Sequence, residues 1–398
     1  MKVREFSNAV IVIGGCHIST LPDSFTDCFD IGVIGEGEET MQELAELYLS
    51  SHEFKKEDLR KIKGLVFFDE KGKLVMTEKR ELIADSDSVP HPDFGFANKR
   101  YFEPVIVPGT FSIEVKGYIM TSRGCPFKCT FCSTSHFWSK QRIHSINYIT
   151  EGIRQLIELY GVTHIGILDD LFAVDEERVR QLTESLKTAG LLGSVSFACM
   201  ARANLIEDGL CEQMKELGVK ILNFGFESGS DVVLKSLKGG SASVLMNKNA
   251  ITTCKRWGFV VFGSLMMGVP GEKIKDMDAT LNFIENAKRS GVDLLWIFVA
   301  TPYPGTEFWS IAEWRRKVRN KMDWRILSLY SINPLLLDFD VSIDEFRRLF
   351  IKARKSTRSF KFRLICRFIR GSGWQLFKAV IQHPLYWSRR FVVEVMQQ

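Results

Sequence analysis

The residues best suited to chemistry are three cysteines that fall within eight positions. The segment TSRGCPFKCTFCSTSHFW places Cys125, Cys129 and Cys132 in a C-x3-C-x2-C spacing. Thiolates so spaced can converge on one soft metal centre. Two centres suit them. A zinc ion needs a fourth ligand, and His136 is placed to complete a Cys3His set. A [4Fe–4S] cluster held by three thiolates instead leaves one iron open to a small molecule. The other cysteines, at 16, 28, 199, 211, 254 and 366, stand alone. An odd total of nine spread over 398 residues is no disulfide framework. Each isolated one reads as a small buried hydrophobe.

The elements around the cluster are periodic. Apolar strand-like runs at 118–123, 164–170, 195–202, 221–228, 260–268 and 294–300 alternate with amphipathic stretches such as NYITEGIRQLIELYG. Near-continuous apolar strands alternating with helices predict a parallel sheet covered by helices. Six such units predict an α/β fold built on a partial (β/α)6 TIM-type barrel over 110–310. In such barrels chemistry sits at the C-terminal ends of the strands, and the cysteines directly follow the first one. A structural zinc has no need of that mouth, whereas a cluster with an open iron must face the cavity.

The remaining composition narrows the class. Apolar residues make up 45% and charged ones 25%, which excludes disordered, collagenous and coiled-coil chains. No run approaches ~18 apolar residues, so no transmembrane helix is predicted. The N-terminal run ending in Gly-Gly-Cys-His reads as a strand leaving for a loop rather than as a secretory signal, and a cytoplasmic location is expected. Residues 1–95 form a smaller unit, with strands NAVIVIGG and FDIGVIGE, helix EETMQELAELYLSS and a hairpin turning at Glu-Lys-Gly. SDSVPHPDFGF reads as the linker. Residues 311–398 are expected to form a helical, basic C-terminal extension. From 345 onward 13 Lys and Arg face 2 acids, a local net of +11 against +5 for the chain. Phe362, Ile365, Phe368 and Ile369 lie at helical spacing beside Arg363, Arg367 and Arg370. Three readings suit this tail: a helix packed on the barrel, peripheral contact with a membrane surface, or a nucleic-acid footprint, the last least favoured.

GCPFKCTFC resembles the cysteine motif of the radical SAM superfamily, and the resemblance spans the whole barrel. It implies a [4Fe–4S] cluster on Cys125, Cys129 and Cys132, and S-adenosylmethionine (SAM) chelating the open iron. An electron from the cluster would then cleave the sulfonium to methionine and a 5′-deoxyadenosyl radical. The resemblance places Phe131 beside the cofactors, and Asp169 and Asp170, at the end of the second strand, on the methionyl amino group. Glu227 and Ser228 in GFESGS are placed on the ribose or methionine. SLMMGVPGE is similar to the adenine strand Gly-x-Ile-x-Gly-x-x-Gly; it departs at Ser264 and Met266 but keeps Gly268 and Gly271, which puts Met266 and Gly268 near the adenine. Carboxylates suit an ammonium group, and Arg202, closing the third strand, suits the SAM carboxylate. TPYPGTEFW is typical of one large branch of the superfamily.

VIVIGGCHIST and DIGVIGEGEET look like the second half of the cobalamin-binding, Rossmann-like domain that precedes the barrel in one branch. That branch holds tetrapyrrole cyclases, hopanoid-tailoring enzymes and cobalamin-dependent methylases. Gly14, Gly15, His17, Gly35, Glu36 and Gly37 would then close over the corrin's nucleotide side, with glycines permitting close backbone approach. The domain's Asp-x-His-x-x-Gly loop has no counterpart: none of the seven histidines follows an Asp by two positions. With the chain starting one strand before Gly14, the unit is expected to be truncated. Tight autonomous corrin binding is not expected, and another polypeptide or a second copy is expected to cover the strand of Val10 and Val12.

The resemblance implies an enzyme that modifies an unactivated C–H position of a small, lipid-like or tetrapyrrole-like substrate by methylation, cyclisation or rearrangement. A reducing partner of flavodoxin or ferredoxin type would supply the electron. Two rivals remain: a tRNA-modifying radical SAM relative, and a non-catalytic cluster-binding remnant.

Overall fold

The computed structural model describes residues 6–110, 112–138, 140–338 and 341–358. The barrel reading holds. Strands β6 (Ser112–Ile119), β9 (His164–Ile167), β10 (Ser196–Ala201), β11 (Val219–Glu227), β12 (Val260–Met267) and β13 (Leu294–Val299) pair each with the next, all parallel. This is an open half-barrel of six strands in sequence order. A seventh strand that the periodicity missed, β5 (Pro104–Val107), pairs antiparallel with Ser112–Val115 and covers the first half of one edge.

Helices between the strands are locally specified. Ser145 caps helix Ile146–Tyr160 by accepting from the Tyr148 amide, and Gly161, at φ +65°, ends it. Asp175, Ser243 and Thr306 cap the helices starting at Glu176, Val244 and Glu307 in the same way. The apolar stripes of the helices starting at Ile146, Glu176 and Val244 and the odd-numbered positions of the first three parallel strands, such as Ile119, Ile165, Phe197 and Cys199, make one buried core. The alternate positions point away from the helices into the concave lumen. There Tyr118, Met120, Leu168 and Met200 stay 37–57% exposed.

The first barrel strand is not the expected 118–123. It starts at Ser112 and stops at Ile119. Ser122–Arg123 leaves the sheet and pairs antiparallel with Arg142–Ile143, so a two-stranded clasp ties the base of the cysteine excursion.

The N-terminal unit is a four-stranded sheet. Val12–Ile13 (β1) and Ile31–Val33 (β2) run parallel, and Leu65–Phe68 (β3) and Leu74–Met76 (β4) form the expected hairpin, antiparallel to β2. The hairpin turn is held by Asp69, which accepts the amides of Lys71 and Lys73, and by Gly72 at φ +74°. Helix α2 (Glu38–Ser51), which follows the short helix α1 (Cys16–Thr20), has the bounds the sequence predicts.

At the C-terminal end, residues 343–358 are helical and bury Phe346, Leu349, Phe350 and Ala353 against the barrel core. The start of the basic extension is thus a packed helix. Phe362, Arg363, Ile365, Arg367, Phe368, Ile369 and Arg370 lie outside the described residues. No helix among the described residues is long and apolar enough to cross a membrane.

Candidate active site

The cysteine loop leaves the barrel mouth between the two strands of the clasp. Gly124, at φ +90°, starts it; a Cβ there would stand 2.8 Å from the Lys140 carbonyl oxygen and 2.9 Å from the Trp138 Cβ. Only glycine fits without displacing the returning chain. The middle of the loop is pinned to the opposite rim, because the Thr130 amide donates to the Leu237 carbonyl and the Thr130 carbonyl accepts from the Glu307 amide. Cys129 is buried, while Cys125 and Cys132 are half-buried. Burial pushes the Cys125 thiol up, and the neighbouring Cys129, Cys132 and Asp170 push it further, so the three thiols stand within electrostatic reach of one another.

The donor set fits the cluster. The three thiolates of a cubane bind three different irons, and three soft ligands of one kind stand along one braced loop.

The expected SAM-binding residues divide into two groups. Asp170 faces the cysteine loop, accepting from the Gly124 amide at 3.2 Å and from Thr134 Oγ1 at 2.9 Å, on either side of the three cysteines. Arg202 is stretched over the loop. It donates to Cys129 Sγ at 3.3 Å, Ser241 Oγ at 2.7 Å and Asn204 Oδ1 at 2.9 Å, and its guanidinium lies 3.9 Å from the Phe127 ring centroid. Phe131 and Met266 line one apolar patch with Leu237, Val269, Phe308 and Trp309. Gly268, at φ +82°, begins the loop after β12 and donates its amide to Glu272 at 2.6 Å.

Glu227 ends β11 at φ +60°, a left-handed position uncommon outside glycine, where the pairing with β12 slips by one residue. Its carboxylate folds back over Gly225, into the space a Cβ at 225 would fill, and pairs with Lys238 Nζ at 3.2 Å. Lys238 also donates to the Gly225 carbonyl. Nothing at sequence level singled out Lys238, because its partner lies across a helix–strand connection.

Two of the expected residues turn elsewhere. Asp169 is buried and takes hydrogen bonds from the Thr121 amide, Thr121 Oγ1 and Ser122 Oγ. These donors fix the bend where β6 leaves the sheet, so Asp169 is a brace behind the mouth rather than a partner for an amino group. Ser228 is fully buried, with its hydroxyl bonded to Thr280 Oγ1 and to the Ser230 amide, on the helix side of the sheet. Glu272, the last residue of SLMMGVPGE, has a structural role. It accepts the Gly268 and Val269 amides from a fully buried position and shapes the turn after β12.

In the N-terminal unit, Gly14-Gly15 and Gly35-Glu36-Gly37 follow the adjacent parallel strands β1 and β2 at their carboxyl ends, the usual ligand crevice of doubly wound folds. Gly15 (φ +98°) and Gly35 (φ +87°) have nothing within 4 Å of an added Cβ, and the Gly35 amide bonds to Ser19 Oγ, joining the two loops. These glycines leave an open cradle. His17 and Glu36 do not face it. His17 bonds Ser24 and sets its ring against Trp324 at 4.5 Å. Glu36 is buried under the guanidiniums of Arg142 and Arg123 and accepts the Ile83 amide, which ties the N-terminal unit to the clasp. Helix α1 touches helix Thr134–Phe137, directly after Cys132, so the glycine cradle sits beside the cysteine loop.

Comparison with known proteins agrees with this geometry. The family model of the radical SAM superfamily matches residues 119–284. An uncharacterized methyltransferase of Pyrococcus horikoshii is 31% identical over 350 residues, covering 87% of this chain and 72% of that protein. Cytidylyl-2-hydroxyethylphosphonate methyltransferase of Streptomyces wedmorensis is 27% identical, covering 75% and 60%. Among solved structures, the radical S-adenosylmethionine methyltransferase TsrM of Kitasatospora setae, with cobalamin and a [4Fe–4S] cluster bound, superposes with a TM-score of 0.62 at 18% identity, over 88% of this chain and 66% of that one. The fold is therefore the one seen in a cobalamin-containing member. The chain belongs to the radical SAM superfamily, whose cofactors are a [4Fe–4S] cluster and S-adenosylmethionine.

Proposed function

We propose that this chain modifies an unactivated C–H position of a small apolar substrate, with methyl transfer as the form its relatives support. The observation that carries the reading is the braced loop of Cys125, Cys129 and Cys132 at the open mouth of the half-barrel. Two relatives named as methyltransferases support the choice of outcome; cyclisation or rearrangement is the alternative outcome of the same machinery.

Cys125, Cys129 and Cys132 would hold the cluster. Once bound, the cluster and SAM supply reductive cleavage of a sulfonium carbon–sulfur bond, with the electron delivered by a ferredoxin- or flavodoxin-type donor. This chain's residues do the positioning. Asp170 fixes both ends of the cysteine loop, and Arg202 lays its guanidinium against Cys129. Glu227 is held by Lys238 above Gly225, at the mouth, where a carboxylate can accept from ribose hydroxyls or an ammonium group. Phe131 and Met266 offer an apolar wall, and the Gly268 turn brings backbone close to an adenine. Tyr118, Met120, Leu168 and Met200 give the lumen an apolar lining for the substrate.

A corrin fits only in part. The cradle of Gly14, Gly15, Gly35 and Gly37 suits its nucleotide side, but among the described residues no platform for the lower face accompanies it.

The test is anaerobic reconstitution with iron and sulfide, followed by reduction with SAM and mass spectrometry. Wild type should show cluster absorbance near ~400 nm and form 5′-deoxyadenosine. Formation of S-adenosylhomocysteine as well would select methyl transfer. Replacing Cys125, Cys129 and Cys132 together by Ala should abolish both signals. Full iron content in that triple variant would overturn the assignment.

A further inference from the structure

Beyond the mouth, a cleft of about 610 Å³ opens along the free edge of the half-barrel. It exists because β5 covers only the first half of β6; past Val115 the edge is left to the linker around 89–102 and to helix Ile146–Tyr160. A pocket of this size suits a drug-sized molecule.

Seven aromatic and imidazole rings line it among aliphatic side chains. On one side Phe94 stacks on Tyr101 at 6.0 Å and meets Tyr160 edge-on at 5.8 Å, while Tyr101 reaches Tyr118 at 6.5 Å. On the other, Tyr148 lies between His91 at 3.9 Å and His144 at 4.2 Å. Gly152 makes room for this second wall, since a Cβ there would come within 2.8 Å of the His91 ring. Tyr118 and Leu168 belong both to the cleft and to the lumen, and Leu168 directly precedes the Asp169-Asp170 pair. Arg123, two residues before Cys125, also lines the cleft, so its inner end reaches the start of the cysteine loop.

The polar features limit what fits. Among the described residues the one guanidinium in the wall, Arg123, is already paired with Glu36 and Glu38. His144 Nδ1 lies 3.0 Å from Asp87 Oδ1, an oxygen that also accepts the Ser145 amide. Rings that already stack on one another, beside charges already paired, favour a flat aromatic body over an alkyl chain or a polyanion.

We propose that this edge cleft is the substrate pocket, and that it takes a flat, uncharged aromatic molecule lying between the ring walls with one end in the lumen beside the cysteine loop. The proposal names the substrate class for the activity above and rests on that reading.

The experiment titrates the full-length reconstituted protein with 1-pyrenemethanol, following pyrene fluorescence. One saturable site of micromolar affinity is expected. Tyr101→Ala, which removes one ring of the wall, and Leu159→Trp, which adds bulk at the outer end, should each weaken binding at least tenfold. Leu245→Trp, on an exposed helix position outside the cleft, should not change it. Dodecan-1-ol should displace the probe only at tenfold or higher concentration than pyrene itself. Unsaturable uptake, equal affinity in the Tyr101 and Leu159 variants, or equally effective displacement by the alkanol would each overturn the proposal. Substrate-free formation of 5′-deoxyadenosine is measured on the same samples. If it proceeds while the probe does not bind, only the pocket fails; if the probe binds and no 5′-deoxyadenosine forms, it is the radical SAM activity that fails.

Discussion

Replacing Glu36 by Ala should uncouple the N-terminal unit from the barrel. The Glu36 side chain is 2% exposed and accepts from Arg142 Nη1 at 2.8 Å, Arg142 Nη2 at 2.9 Å, Arg123 Nη1 at 2.5 Å and the Ile83 amide at 2.7 Å. Three charge-assisted bonds at roughly 1.5–3 kcal/mol each would sum to well above 4 kcal/mol if additive. They share one carboxylate and are not additive, so the better guide is the ~3–5 kcal/mol lost when one partner of a buried ion pair is removed. The variant strands the Arg142 guanidinium, which is 5% exposed and whose Nε already lacks a partner. Urea unfolding followed by tryptophan fluorescence is suited to the measurement, because Trp138 lies under Arg142 at 5.1 Å and Trp324 against His17. The first transition should lose about 3–5 kcal/mol, with early proteolysis in the linker around 89–102. Glu36→Leu combined with Arg142→Met should recover more than half, since both buried charges are then gone. Burial alone would raise the Glu36 carboxyl, but the bonds from Arg142, Arg123 and Ile83 outweigh it and hold it below the usual carboxylate range. Its contribution is therefore present above the ordinary Glu pKa and lost as pH falls through the lower folded value. A loss under ~1 kcal/mol for Glu36→Ala, the range of a surface pair, would refute the buried-hub reasoning.

Two further outcomes are expected. Burial pushes the Glu272 carboxyl up to about 8. As a neutral acid it contributes stability that is complete below the ordinary Glu range and is lost as pH rises through about 8; Glu272→Gln should flatten that decline in a thermal-unfolding series from pH 5 to 9, and an identical slope in both proteins would contradict it. Gly124→Ala should impair cluster incorporation through its φ of +90° and the contacts near 2.8 Å, with backbone strain of about 1–3 kcal/mol; iron content after reconstitution should fall, whereas Gly161→Ala, with open space at its Cβ, should retain it.

Much of the site was written locally. The C-x3-C-x2-C spacing, its place after an apolar strand and the six-fold alternation of strand and helix predict the half-barrel and the position of its loop. The reason is that periodicity and capping act within a few residues: Ser145, Asp175 and Thr306 each bond an amide two or three positions on. Glycine pairs following two parallel strands likewise mark the N-terminal crevice. Which side chain faces which partner lies beyond that range. Asp169 and Asp170 are adjacent and chemically identical, yet strand alternation sends one behind the sheet to Thr121 and Ser122 and the other to the cysteine loop. Glu36 reads as a loop residue for a ligand until Arg142, 106 positions away, is folded against it. Glu227 is placed by a register slip against β12 and by Lys238. The edge cleft follows from how far β5 extends along β6, a long-range pairing that no local pattern encodes. The sequence by itself determined the chemistry available and the order of the elements; the tertiary structure decided which carboxylates meet the cysteine loop and which brace the frame, because that depends on burial and pairing between residues distant in the chain.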